Sequence, residues 1–478
     1  MSANPELLYG LEDRPNLLKT STAAFQHVLA SFVGVITPTL IIAAALGLES
    51  HIPFLVSMAL FVSGMGTVIQ TKRIGRIGSG LVAVQGTSFA FVSALILAGT
   101  TVRSRGGSDD EVMAMLMGIS MAGALVEVGL SFFIHRLKRL LSPVITGIVI
   151  TSIGLSLIKV GMTDLAGGFG ATDFGQINHV GLGLSVLFII IFLNASSNLW
   201  LRLSAIFIGM ALGTLCAWSF GNVSFAHLSD LPVLAFPAPF QYGIAFDFSL
   251  FLPVALIYLF SALETAGDLT ANSVFCNQPI KGPVYIKRIQ GGILGDGINS
   301  VLAACFNTFP NTTFGQNNGV IQLTGIASRR VGIAIGIFYL LSGIFPVIGG
   351  ILQAIPKAVL GGATLVMFAM VAVGGLKILM QQTLDRRTSL ITASALGMGM
   401  GVMMVPAMTN GFPDWLANIV ASPVTMAGIT AVFLDVILPE TGKPLPKKHV
   451  FDNSPKEQKK LDPDLVQNTR LSHHEGAN

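Results

Sequence analysis

Runs of about 20 mostly apolar residues recur along almost the whole chain, and that is the length a helix needs to cross a bilayer. They lie near 21–46, 53–70, 80–98, 112–134, 143–162, 178–196, 203–220, 249–272, 290–307, 312–327, 332–353, 357–379, 389–408 and 417–437. Read this way, the chain is expected to be an all-α polytopic membrane protein of about 14 spans. Composition agrees. Charged residues make up 11% of the 478, against roughly 25% in a soluble domain, which leaves too little charge to cover a water-facing surface. The 53 glycines suit helices that pack closely and spans that break.

The net charge of +4 does not point to nucleic acid, because the basic residues are scattered through short loops and no basic face interleaved with aromatics is visible. Nor do Cys216, Cys276 and Cys305 imply a disulfide framework or a metal site. They are widely spaced, form no C-x-x-C pair and have no histidine at ligand spacing. No metal or cofactor is expected. Residues 1–20 are polar, with Glu6, Glu12, Asp13 and Arg14, and do not read as a cleavable signal. The tail 440–478 is polar and lysine-rich and reads as a disordered extension.

Lys and Arg in loops set orientation. Lys72, Arg73 and Arg76 follow the second span, and His135, Arg136, Lys138 and Arg139 the fourth. Lys281, Lys287 and Arg288 follow the eighth, Arg329 and Arg330 the tenth, and Arg386 and Arg387 the twelfth. All follow even-numbered spans, so both termini are expected in the cytoplasm. Arg103 and Arg105, on the other side, have Asp109, Asp110 and Glu111 beside them.

Ionisable residues inside spans are costly and default to a functional hypothesis. Here they are His27, Glu127, Lys159, Glu264, Asp268 and Asp296. Glu264 and Asp268 stand at i, i+4 on one helix face, with Ser261 and Asn272 extending the polar stripe. Two buried like charges cannot both ionise cheaply, so one of the pair is suited to carry a coupled proton. Asp296 lies in a glycine-rich run, Gly291–Gly297, where a site role and a structural tether are equally open. For His27, Glu127 and Lys159 the residue pattern alone favours packing or tethering. Lys357, Lys377 and Asp435 sit near span ends, where interfacial placement accounts for them.

Two spans are interrupted. The third reads Gln85-Gly-Thr-Ser-Phe-Ala-Phe91 and the tenth Asn311-Thr-Thr-Phe-Gly-Gln-Asn-Asn-Gly319. Polar, glycine-broken backbone at bilayer depth belongs where it is enclosed by protein or lines a cavity. Each is the third span of its half of the chain, the pattern expected of a transporter site at the midplane, with half-helix N-termini offering N–H groups to a substrate.

At these residues the chain resembles the nucleobase–ascorbate transporter family. The tenth span carries Gln316-Asn317-Asn318-Gly319, with Thr324-Gly325 closing the motif, and Gln26-His27, Gln85–Phe89 and Glu264…Asp268 fit as well. The resemblance implies two inverted seven-span repeats with short strands in spans three and ten. It implies a core of 21–134 and 249–353, a gate of 143–220 and 357–437, a homodimer, and an elevator-like movement of core against gate. By position it implies that Glu264 accepts hydrogen bonds from ring N–H groups of a purine, that Gln316 reads the purine edge and that Phe89 stacks on the ring. Backbone groups near Ser88, Phe89 and Gly315 complete the contacts, and Asn317 shapes the site. Asp268, Asp296 and His27 would support coupling or geometry. Gln316 resembles the residue of xanthine and uric acid carriers rather than uracil carriers, and the run 316–329 looks most like bacterial xanthine permeases, whereas Ser88 departs from some of them. The expected activity is proton-coupled import of xanthine across the inner (plasma) membrane, with uric acid or a broader purine and uracil range as the alternative. A solute channel would need a continuous polar stripe on several helices. An enzyme would need a nucleophile–base pair, or the Gly-x-Gly-Asp motif that Ile293 spoils.

Overall fold

A computed structural model describes residues 7–133, 142–168, 171–221 and 223–439. The basic cluster at 135–139, Glu6 and the tail 440–478 lie outside the described residues, as does the side chain of Gln316. In chain order the elements are α1 (Leu17–Ala45), α2 (Ile52–Lys72), β1 (Gln85–Thr87), α3 (Val92–Ser104), α4 (Asp109–Phe133), α5 (Pro143–Leu165), α6 (Ile177–Asn194), α7 (Leu199–Leu203), α8 (Ala205–Ser219), α9 (Phe248–Phe275), α10 (Gly282–Cys305), β2 (Asn311–Thr313), α11 (Gln316–Thr324), α12 (Arg329–Gly343), α13 (Pro346–Gln353), α14 (Lys357–Met380), α15 (Arg386–Met404), α16 (Asp414–Ala421) and α17 (Pro423–Ile437).

Among the described residues seven helices are long and apolar enough to cross a membrane, or eight if the bent pair α12 and α13 counts as one span. Three shorter apolar helices, Phe89–Ser104, Ala205–Ser219 and Pro423–Ile437, accompany them. The chain is a multi-pass helical membrane protein. The other segments of the roughly fourteen expected are more polar or are broken: α10 carries Lys287, Arg288 and Asp296, and α11 has only nine residues.

Two expected spans are not continuous. Span eleven bends by 76° between α12 and α13. Pro346 opens α13 without an N–H to give, and Phe345 before it is extended at φ −106 and ψ 94, as a residue preceding proline prefers. Span fourteen breaks the same way at Ser422-Pro423, between α16 and α17. The first helix begins at Leu17 rather than 21, capped by the Asn16 side chain, which accepts from the Lys19 N–H at 3.0 Å. The segment before it is held in place: the Leu8 N–H donates to Gly325 O at 2.8 Å, and Ser328 Oγ donates to Asp13 O at 2.6 Å.

The most extensive helix pairs are α5 with α14, α2 with α12, and α4 with α10. Glycine explains how closely the first pair approaches. A Cβ on Gly154 would stand 2.3 Å from Ala372 N, and one on Gly375 would stand 2.4 Å from Thr151 N. By contrast α6 buries little of its surface and shows Phe188, Ile191 and Phe192 outward, which suits contact with lipid.

The two interrupted segments meet. β1 and β2 pair antiparallel, in the register Gln85–Thr313, Gly86–Thr312 and Thr87–Asn311. Each strand then leads into helix. After β1, Ser88 caps a short 3-10 turn at Phe89–Phe91 that runs into α3. After β2, Phe314 and Gly315 lead into α11, which Gly325 closes in the left-handed region at φ 68. The strand pair touches α1, α2, α9 and α10.

Candidate functional site

The strand pair is fastened by Asp296. This carboxylate on α10 is fully buried and accepts from Gln70 Nε2 on α2 at 2.6 Å, from the Thr313 N–H at 3.2 Å and from Thr313 Oγ at 3.1 Å. The Thr265 hydroxyl of α9 donates to it as well. One side chain thus ties α2, α9, α10 and β2 together. Charge-assisted bonds of this kind are the strong ones, so the structure favours the tether side of the open choice on Asp296. Gln70 itself is spent on the same network. Its Nε2 also donates to Gly292 O at 2.7 Å, and its Oε1 accepts from the Ser79 N–H at 2.9 Å. Gln85 continues the network, donating from Nε2 to Thr313 Oγ at 2.9 Å. Gln70, Thr265 and Thr313 were not singled out from the sequence. The available signal was that Gln70 is an amide inside an otherwise apolar span.

The α9 face that bears the other two acids also meets the strands. Thr265 Oγ and Thr312 Oγ lie 3.2 Å apart, and Ser261 Oγ donates to Thr312 Oγ at 3.4 Å, so this face is pinned to β2. Glu264 belongs to it and is placed differently from Asp296. It is partly exposed, and among the described residues no group hydrogen-bonds its carboxylate. Asp268 lies one turn on, against the turn into α11. A Cβ on Gly315 would stand 2.5 Å from Asp268 Oδ1, so only glycine lets this backbone come so near the acid. Asn318 Nδ2 donates to the Asp268 carbonyl at 3.1 Å, joining α11 to α9 a second time.

His27 and Asn317 also meet. Asn317 Nδ2 donates to His27 Nδ1 at 3.0 Å and reaches His27 O at 3.3 Å, tying α1 to the start of α11. His27 Nε2 and Asn317 Oδ1 have no partner among the described residues. Ser88 is buried. Its N–H donates to Pro310 O at 2.8 Å, and its Oγ accepts from the Ala90 N–H at 3.3 Å. Phe89 is partly buried, with its ring edge-on to Phe368 of α14, centroids 5.5 Å apart at 83°. Ser88, Phe89, Glu264, Asp268, Asp296, Gly315, Asn317 and His27 therefore gather around one strand pair, which brings together helices far apart in sequence. Gln316 opens α11 beside them through its backbone. Lys159, in contrast, is exposed on α5. At the span ends Asp435 pairs with Arg387 at 3.0 Å and Lys357 with Glu49 at 3.8 Å.

A bundle of apolar helices enclosing a polar, strand-paired break, with a partly exposed carboxylate beside it that is unengaged among the described residues, has the features of a membrane permease. The Permease family model Xan_ur_permease matches residues 18–408. The xanthine permease XanP of Escherichia coli strain K12 is 44% identical over 441 residues, which cover 91% of this chain and 95% of that one. XanQ of the same strain, also a xanthine permease, is 43% identical over the same length and the same shares. In fold, the chain is similar to the transmembrane domain of the cyanobacterial bicarbonate transporter BicA, with a TM-score of 0.59 and 14% identity over 86% of this chain and 99% of that one. The chain belongs to the nucleobase–ascorbate transporter family. It is a transporter and not an enzyme.

Proposed function

We propose that the protein imports a purine base, xanthine in the first place, by proton symport across a bacterial inner membrane. The observation that carries this reading is Glu264. Its carboxylate is held beside a hydrogen-bonded strand pair, yet it is left without a partner among the described residues. A carboxylate there can accept two ring N–H bonds from a planar base. The Gln316 amide offers a donor and an acceptor to the opposite edge, and the backbone N–H groups of Phe89 and Gly315, which have no partner among the described residues, can donate to the base. Phe89 supplies the stacking face. The high identity to two xanthine permeases supports xanthine as the base.

Proton coupling rests on the acids. Glu264, Asp268 and Asp296 lie close enough for their charges to act on one another. Like charges in a water-poor site do not all ionise together, so the cluster is suited to take up a proton and give it back during a cycle. The elevator movement is supported by the contact of Phe89, on the segment assigned to the core, with Phe368, on the segment assigned to the gate. A planar guest between the two rings would engage both bodies at once. The inverted seven-span repeats, the homodimer and the cytoplasmic placement of both termini complete the reading.

Uptake of radiolabelled xanthine by cells without native purine carriers tests it. Accumulation should collapse with a protonophore, and unlabelled xanthine should compete better than uric acid, hypoxanthine, guanine or uracil. Uptake indifferent to the protonophore overturns the coupling, and stronger competition by another base overturns the substrate. The competition panel also tests the influence of Ser88, the position at which the chain departs from some xanthine carriers.

A further inference from the structure

The sequence assigns Glu127 no function beyond a tether, and the structure removes that explanation. A tethering carboxylate needs donors, as Asp296 has. Glu127 is completely buried on α4, and neither of its carboxyl oxygens has a hydrogen-bond partner among the described residues. Its position is nevertheless central. Four residues before it, α4 lies so near α9 that a Cβ on Gly123 would stand 2.5 Å from the Tyr258 ring. One residue after it, the Val128 N–H would be 3.0 Å from a Cβ on Gly297 of α10. Glu127 is thus wedged between the two helices that carry the site acids. The titratable groups that act on it are Asp296 from α10 and Glu264 from α9, and it acts in turn on Tyr258 from α9. No cation is among them.

We propose that Glu127 is a proton-holding positioning residue of the transport cycle, which keeps its proton while Glu264 is ionised and so leaves the coupled titration to the other acids of the cluster. The inference rests on the proton-symport reading given above. Its physical basis is the absence of donors. An anion deprived of both water and hydrogen bonds is strongly disfavoured, whereas the neutral acid is tolerated. A carboxyl in that state gives Glu264 an uncharged neighbour. Were it to ionise, the cluster would carry another negative charge with nothing to offset it. The ligand of this position is the proton alone, which needs no open space around the carboxyl, and Glu127 itself never touches the base.

The test is Glu127→Gln in the full chain, reconstituted in liposomes and followed by xanthine uptake from pH 5 to pH 9. The amide keeps the shape and, like a carboxyl that holds its proton, carries no charge. The apparent midpoint of the pH profile should therefore stay within about half a unit of wild type, with the maximal rate at the optimum within about threefold. A midpoint displaced by about a unit or more means that Glu127 titrates in the working range and overturns the proposal. The state of the carboxyl is read directly in Glu264→Gln protein labelled with isotopic glutamate. There Glu127 is the fully buried glutamate among the described residues. A protonated carboxyl band that persists at neutral pH supports the proposal, and its absence overturns it. If wild-type uptake ignores a protonophore, the symport reading falls by itself, and the infrared band still decides whether Glu127 holds a proton.

Discussion

Two carboxylates stand by the same pair of strands and live in opposite conditions. Asp296 receives hydrogen bonds from Gln70, Thr265 and Thr313, and so links α2, α9 and its own α10. Glu264 is the next residue to Thr265 and receives none among the described residues. Both are acids in apolar spans, and sequence position alone does not separate them. The difference teaches where a membrane protein places stability and where it leaves capacity. A saturated acid is a rivet. An acid left unsaturated next to rigid structure is a binding group waiting for donors. The rigidity of the first is what holds the second in place at little reorganisation cost.

The sharpest break of this comparison is Asp296→Ala. It removes the acceptor and strands several buried donors at once, a class of change that costs about 3–5 kcal/mol. The expected outcome is little folded protein, with loss of the sharp elution peak in detergent and of uptake together. Asp296→Asn keeps one acceptor and should be milder on stability. If the alanine variant melts like wild type, Asp296 is not the rivet described.

Glu264→Gln is expected to do the reverse: normal abundance and melting, but xanthine uptake lower by about a hundredfold. That corresponds to roughly 2.7 kcal/mol, the scale of charge-assisted bonds exchanged for weaker neutral ones. Binding of xanthine by isothermal titration, set beside the melting curve, checks both halves. A destabilised protein would mean that Glu264, too, is structural.

Smaller effects belong to the contacts around the pair. Gly315→Ala forces a methyl against the Asp268 carboxylate, at 2.5 Å from Oδ1, and should raise KM about tenfold with near-normal expression. Phe368→Ala removes the edge contact with Phe89. An aromatic pair contributes about 0.5–1.5 kcal/mol beyond its area, so a KM change of three- to tenfold is expected if the ring helps to frame the base.

Much of this was legible in the chain. The apolar runs announced the class of protein, and the polar breaks at Gln85–Phe91 and Asn311–Gly319 announced two segments that would have to satisfy one another. They do so, through β1 and β2. Less legible was everything that depends on which helix faces which. Gln70 and Asp296 lie 226 residues apart, and no local pattern says that an amide in span two is meant for an acid in span nine. Glu127 reads as a tether because a buried acid usually finds donors. That it has none among the described residues is visible only with the neighbours in place. Nor does proline alone announce the bends at Pro346 and Pro423, since Pro38 and Pro253 lie inside the continuous helices α1 and α9.

The weakest effect expected lies outside the apolar spans, and it tests whether polar groups at a helix end matter as much as those at its middle. Asp247 caps α9: its Oδ1 accepts from the Ser249 N–H and Oγ at 2.8 and 2.6 Å, and its Oδ2 pairs with Arg105 at 2.8 Å. The Ser249 hydrogen bonds, then the Arg105 guanidinium, hold this carboxyl down at about 2, below its ordinary 3.8. A depressed carboxyl stabilises the fold above the ordinary value, and that contribution is lost as pH falls through the folded one. The side chain is one-quarter exposed, so the ion pair adds little in salt and the cap accounts for most of about 1 kcal/mol. Asp247→Ala should therefore melt slightly below wild type at pH 7, and the gap should narrow as pH falls from 4 towards 2. A gap that stays constant over that window would assign the effect to packing at the start of α9. A gap as large as that of Asp296→Ala would mean that the ends of α9 anchor the site acids as firmly as the strand pair does.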